Sequence, residues 1–144
     1  LPMIASMKEI PLSAAEKADF HARAAYICYD EAGKTVAFRV ETQANGYHES
    51  VPIVIASTVS ADGSVLIGIE VLQQKESTYY GARIATSEFA ARFSGRRMPL
   101  FLTGTAGRGA HIDGISGATL SSQAVVDAVN DAGAWVRTHI AKGE

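Results

Sequence analysis

The middle of the chain alternates in a way that only a sheet can use. Lys34 to Thr42 sets Val36, Phe38 and Val40 against Thr35, Ala37, Arg39 and Glu41. Ser64 to Leu72 sets Val65, Ile67, Ile69 and Val71 against Leu66, Gly68 and Glu70. Successive side chains of a strand point to opposite faces, so each segment offers one apolar face to a core. Between them, Val51 to Ser60 is rich in β-branched residues, which suit a pleated surface. Ala61-Asp62-Gly63-Ser64 joins the last two segments. Asp-Gly marks a tight hairpin because glycine accepts the positive φ that such turns need, so these two strands are expected to pair antiparallel. Asn45-Gly46 marks another turn just before.

Helical signals flank the sheet. Ser13 with Glu16 three residues later spells a capping box. The helix it opens is expected to carry Phe20, Ala24 and Ile27 on one face. Ala82 to Phe93 has a helical pattern with Ile84, Phe89 and Phe93 on one face, closed by Ser94-Gly95. Pro99 to Leu102 reads as a short strand, and Thr103 to Gly117 as a glycine-rich loop. The last helix is expected from about Ser121 to Ile140. Its stripe is Val125, Val129, Ala132, Val136 and Ile140, with Val126 and Trp135 beside it. The expected fold class is α+β: an antiparallel sheet packed with helices, with a C-terminal helix following the glycine-rich loop. Residues 1–12 read as an N-terminal extension or linker, and residues 13–144 as the domain.

Composition narrows the function. Thirteen basic against fifteen acidic residues leave a formal charge of −2, without the basic stripe of a nucleic-acid binder. The single cysteine, Cys28, allows no intrachain disulfide and no thiolate zinc site, and reads as a small buried hydrophobe. His21, His48, His111 and His139 are scattered and make no pair suited to a metal. No stretch reaches the ~18–20 apolar residues that a membrane span needs. The start at Leu1 reads as a processed or trimmed chain, from which a signal or anchor segment could have been removed.

The segment that carries chemistry is Asp113-Gly-Ile-Ser-Gly-Ala-Thr119-Leu-Ser-Ser122, which joins the loop to the last helix. The first amides of a helix lack internal partners and sit at the positive end of its dipole. The amides of Leu120, Ser121 and Ser122 are therefore candidates to hold a phosphate near Thr119. Gly114 and Gly117 allow close backbone approach, and Ser116, Thr119, Ser121 and Ser122 supply hydroxyls. The same residues also read as an ordinary helix start, with Thr119 or Ser121 as N-cap.

Asp113-Gly114 followed by Ser116-Gly117-Ala118-Thr119 resembles the flavinylation motif of the FMN-binding domain family. That domain occurs in the C subunit of the sodium-translocating NADH:quinone oxidoreductase, in the G subunit of the Rnf complex and in periplasmic reductases. The order of elements is similar too: Gly46-Tyr47, an apolar strand, an Asp-Gly hairpin, then Glu76-Ser-Thr78-Tyr-Tyr-Gly81. Relatives usually read Glu-Thr-Pro-Gly-Leu-Gly in the last piece, and the proline is absent here. The resemblance implies FMN held covalently through a phosphoester to Thr119, attached by a flavin transferase that reads Asp113 and Gly114. It implies that Ser116, Gly117, Ala118, Leu120, Ser121, Glu76, Thr78, Tyr79 and Gly81 help to bind the cofactor. Tyr79 and Tyr80 are candidates to pack on the ring, and His111 to reach the phosphate or the ring. It further implies an electron-transfer flavoprotein without a substrate reaction of its own. Its partners would be other redox subunits of a membrane complex outside the cytoplasmic membrane, and its membrane association would run through a segment absent from this chain.

Other readings find less support in the residues. Gly104-Thr-Ala-Gly107-Arg-Gly109 does not spell a dinucleotide fingerprint and lacks a βαβ setting. Gly114-Ile-Ser116-Gly117 lacks the spacing of a hydrolase nucleophile elbow. A flavin module of a larger reductase and a non-redox binding or sensory module remain as alternatives.

Overall fold

The structure, a computed structural model, describes residues 3–47, 50–76, 80–105 and 107–143. Its frame is a six-stranded antiparallel sheet in which neighbours in sequence are neighbours in space. The strands are β1 (Ser6–Ile10), β2 (Ala22–Tyr29), β3 (Thr35–Ala44), β4 (Ile53–Ser60), β5 (Val65–Gln73) and β6 (Arg96–Arg97). A parallel pair, β7 (Leu100–Leu102) with β8 (Ala110–Ile112), stands apart. Among the described residues lie three α-helices, α1 (Ala14–Asp19), α2 (Ser87–Ala91) and α3 (Thr119–Ala141), and a 3-10 turn.

The alternating segments pair as expected. Phe38 lies opposite Val59 and Val40 opposite Ser57, and β4 turns into β5 at Gly63, whose φ is +77°. Between β4 and β5 an irregularity at Thr58/Val59 shifts the register, and Leu66, not the expected Val65 and Ile67, is fully buried. The alternation of β3 has its cause in α3, which packs on β3 and β4. Val125, Val129, Ala132 and Val136 of α3 are fully buried with Val40, Ile53, Ile55 and Val59 of the sheet. Thr42 is polar yet fully buried, and its hydroxyl donates to the Ala128 carbonyl at 2.5 Å. Trp135 is also buried, edge-on to Phe38. Arg137 donates to the Gly63 carbonyl at 3.1 Å and so ties the hairpin turn to the helix.

Several expectations fail, each for a physical reason. Residues 1–12, expected as an extension or linker, include β1, which pairs with β2 from Ser6↔Tyr29 to Ile10↔Ala25. The capping box at Ser13 is present, but the helix stops at Asp19. His21 takes a left-handed φ of +52°, and Ala22–Tyr29 becomes a strand paired on both sides. Phe20, Ala24 and Ile27 fit a helical spacing, but the β-forming Tyr26, Ile27 and Tyr29 favour a strand wherever two neighbours offer hydrogen bonds. The single helix expected over 82–93 is a 3-10 turn (Gly81–Ala85) followed by α2. Thr86 breaks it by taking an extended conformation and capping the Phe89 amide at 3.2 Å. The apolar face survives, with Ile84, Phe89 and Phe93 all buried. The loop expected over 103–117 contains β8.

β7 and β8 form the platform from which the chain enters α3. The side-chain amide of Asn130 on α3 completes the outer edge of β7, accepting from the Leu100 N–H at 2.8 Å and donating to the Leu100 carbonyl at 2.7 Å.

Candidate cofactor-binding site

After β8 the chain turns through residues 113–118 into α3. The Ala118 amide donates to the Ile115 carbonyl at 2.9 Å, and the Ile115 amide donates to the Ser122 hydroxyl at 3.0 Å. Gly117 sits at φ +79°, and a Cβ there would come within 2.9 Å of the Tyr80 ring. Only glycine satisfies both conditions.

Neither Thr119 nor Ser121 caps the helix. The N-cap is Ala118, whose methyl group offers no hydrogen bond. The Ser122 amide closes the first turn on the Ala118 carbonyl at 3.0 Å, so it is not free to hold a phosphate as expected. The orphan amides of the first turn are those of Thr119, Leu120 and Ser121. Thr119 is the first helical residue, and its side chain is exposed beside them.

A carboxylate supports this turn from beneath. Glu76, just past the end of β5, is 8 % exposed. One of its oxygens accepts from the Ser121 hydroxyl at 2.5 Å and from the Tyr47 amide at 2.8 Å. Those bonds, together with the positive end of α3, offset the cost of burying the charge. The surrounding backbone is shaped to admit it. A Cβ on Gly81 would lie 2.6 Å from the Glu76 side chain and 2.8 Å from the Ser121 hydroxyl, and a Cβ on Gly46 would overlap the carboxylate itself.

Over this support opens a cleft of about 550 Å³, within the ~300–1,000 Å³ usual for small-molecule sites. Tyr47, Tyr80, Gly81 and the segment from Gly117 to Ser121 line it. Tyr47, Tyr80 and Leu120 are exposed there, giving apolar walls near a rim of amides and a hydroxyl. Of the residues expected to bind the cofactor, Gly81, Gly117, Ala118, Thr119, Leu120 and Ser121 meet in the cleft, with Glu76 below. Thr78 and Tyr79 lie outside the described residues. Ser116 is not among the residues lining the cleft and instead lines a separate pocket with Arg83, Thr86 and Arg92. The Asp113 carboxylate accepts from the Thr103 hydroxyl at 2.7 Å. His111 faces Phe101, its ring centroid 5.9 Å away, and is not among the residues lining the cleft. Tyr47 joins the site without having been expected there. Its one local signal is Gly46 before it, a glycine whose missing Cβ makes room for Glu76.

Among the described residues no group of three or more His, Cys, Asp and Glu side chains is placed to hold a metal ion, and no helix is long and apolar enough to cross a membrane.

Comparison with known proteins bears on the same region. The chain is 36% identical over 103 residues to a Methanosarcina acetivorans protein, the G subunit of an ion-translocating oxidoreductase complex. The match covers 72% of this chain and 53% of the relative, so the chain spans about half its length. Among solved structures, NqrC of Shewanella oneidensis superposes with a TM-score of 0.69 at 17% identity, over 83% of this chain and 61% of the other. The C subunit of the Na(+)-translocating NADH-quinone reductase from Parabacteroides distasonis gives 0.68 at 18%, over 93% and 77%. These two likenesses establish a shared α+β fold. Residues 46–134, from the turn before β4 into the body of α3, match the FMN-binding domain family, and the chain belongs to that family.

Proposed function

We propose that the chain is an electron-carrying flavin module in which FMN is esterified through its phosphate to Thr119. The observation that carries this reading is the uncapped first turn of α3, where an exposed threonine hydroxyl lies beside three orphan amides at the mouth of a cleft with aromatic walls. The residues suit FMN. The amides of Thr119, Leu120 and Ser121 and the helix dipole favour a phosphate. Tyr47, Tyr80 and Leu120 offer apolar surface to a flat ring, and Gly81 and Gly117 keep the floor free of side chains.

Attachment forms a bond from the Thr119 oxygen to the flavin phosphorus. It breaks the bond from that phosphorus to the leaving group of a phosphoanhydride donor, and the hydroxyl proton passes to the flavin transferase. Asp113 and Gly114 belong to the loop that the transferase reads. Once bound, FMN supplies the redox chemistry and the protein supplies position and electrostatics. Glu76 lies beneath the helix start, and its bond to Ser121 sets the first turn in place.

The Methanosarcina relative belongs to an ion-translocating oxidoreductase complex. By this reading the present chain passes electrons between neighbouring redox subunits of such a complex. It works at the extracytoplasmic face of a membrane. The test is the intact mass of denatured protein after co-expression with a flavin transferase. Wild type should gain one FMN less one water, and Thr119→Ala should gain nothing. An unmodified wild type, beside a control substrate that the same transferase does modify, would overturn the covalent reading.

A further inference from the structure

We infer that Arg92 is a positioning residue for flavin attachment, acting through the loop that leads into Thr119. The inference rests on the covalent reading above. Arg92 closes α2, and its guanidinium reaches across to donate to the Asp113 carbonyl at 2.8 Å and the Gly114 carbonyl at 3.3 Å. It is held from behind by Glu88 at 3.3 Å and lies over the buried Phe89 ring, 5.5 Å from its centroid.

The Gly114 carbonyl and the Ile115 amide are two ends of one planar peptide group. Arg92 donates to the oxygen end, and the nitrogen end donates to the Ser122 hydroxyl inside α3. One peptide plane is therefore pinned between α2 and α3. The next link is the Ala118 amide on the Ile115 carbonyl, directly before Thr119. Gly114 lets this plane sit close, since a Cβ there would lie 3.1 Å from Leu102 and 3.3 Å from Ser122. One guanidinium nitrogen, Nη1, donates to both adjacent carbonyls while Nη2 faces Glu88, a spread that the planar group fixes and a freely rotating ammonium does not. The acceptor hydroxyl thus inherits its orientation from a side chain outside the cleft.

The experiment follows FMN attachment to purified wild type, Arg92→Ala and Arg92→Lys by intact mass. The transferase is supplied with flavin adenine dinucleotide, a phosphoanhydride of FMN, at a temperature where each variant is folded. Hydrogen exchange of the Ile115 and Ala118 amides is read in parallel. Arg92→Ala should attach FMN about ten-fold more slowly or worse, as expected for a misplaced reacting group. Both amides should lose protection while β4 keeps its own, and Arg92→Lys should fall between. If Arg92→Ala does not fold, Arg92→Lys decides by the same two readouts. Attachment at the wild-type rate overturns the inference. So does slower attachment with unchanged amide protection, which would place Arg92 in direct contact with the transferase. If wild type itself takes up no FMN, the covalent reading falls, and the exchange data alone decide whether Arg92 orders the loop.

Discussion

Two helix starts in this chain are built in opposite ways. α1 has six residues and a complete capping box: Ser13 accepts from the Glu16 amide at 3.1 Å, and Glu16 accepts from the Ser13 amide at 3.1 Å. α3 has 23 residues and an alanine at its N-cap. A short helix cannot stand on propagation alone, so its ends must be satisfied locally. A long helix packed along a sheet is stable without that help, and its first amides remain available to a ligand. The short α2 follows the first pattern, with Thr86 as its cap. The helix that can do without a cap is the one that opens onto the cleft.

The sharpest way to break this comparison is to attack the body of α3 instead of its start. Trp135→Ala should cost about 3–5 kcal/mol, because it empties a fully buried site. It also removes the indole N–H that donates to Glu16 at 2.7 Å, so α1 should loosen with it. Chemical denaturation checks the first effect, and proteolysis within residues 13–20 the second. Ser13→Ala should cost ~1 kcal/mol, the usual value of a lost cap. Thr119→Ala, at the uncapped start, should shift stability by less than about 0.5 kcal/mol, since it removes an exposed side chain that caps nothing. Equal losses at the two positions would erase the contrast.

The smallest effect concerns another capped backbone. Asp62 accepts from the Ser64 hydroxyl and amide and from the Ser60 hydroxyl in the β4–β5 turn, and these bonds lower its pKa from 3.8 to about 2. A carboxyl whose folded pKa is depressed contributes stability above its unfolded pKa and loses it as pH falls through the folded value. Wild type should therefore lose slightly more stability than Asp62→Asn between about pH 4 and pH 2, measured by denaturation at each pH. The side chain is exposed, so the difference is small.

How much of the molecule is legible in its sequence follows from how local the signals are. The hairpin at Asp62-Gly63, the strands on either side and the α3 stripe depend on spacing within a few residues, and the structure keeps them. β2 reads as helix because Phe20, Ala24 and Ile27 fit a helical period, whereas the strands that claim Ala22–Tyr29 are set by pairing at a distance. The residues meeting at the cleft are legible around Thr119, where glycines, hydroxyls and a helix start adjoin in sequence. Tyr47 and Arg92 are not. Their roles arise from contacts with residues 29 and 21 to 22 positions away, and Gly46 beside Tyr47 is the one local hint.

The buried carboxylate of Glu76 has a consequence for the order of events in the cell. It joins three stretches of chain, at Tyr47, at the end of β5 and at Ser121, and it can do so only when the sheet is paired and α3 is docked. A chain in which α3 has not docked lacks this support beneath the helix start. If FMN is attached at Thr119 as proposed, loading would act as a maturation checkpoint, and molecules that had not finished assembling their core would stay colourless.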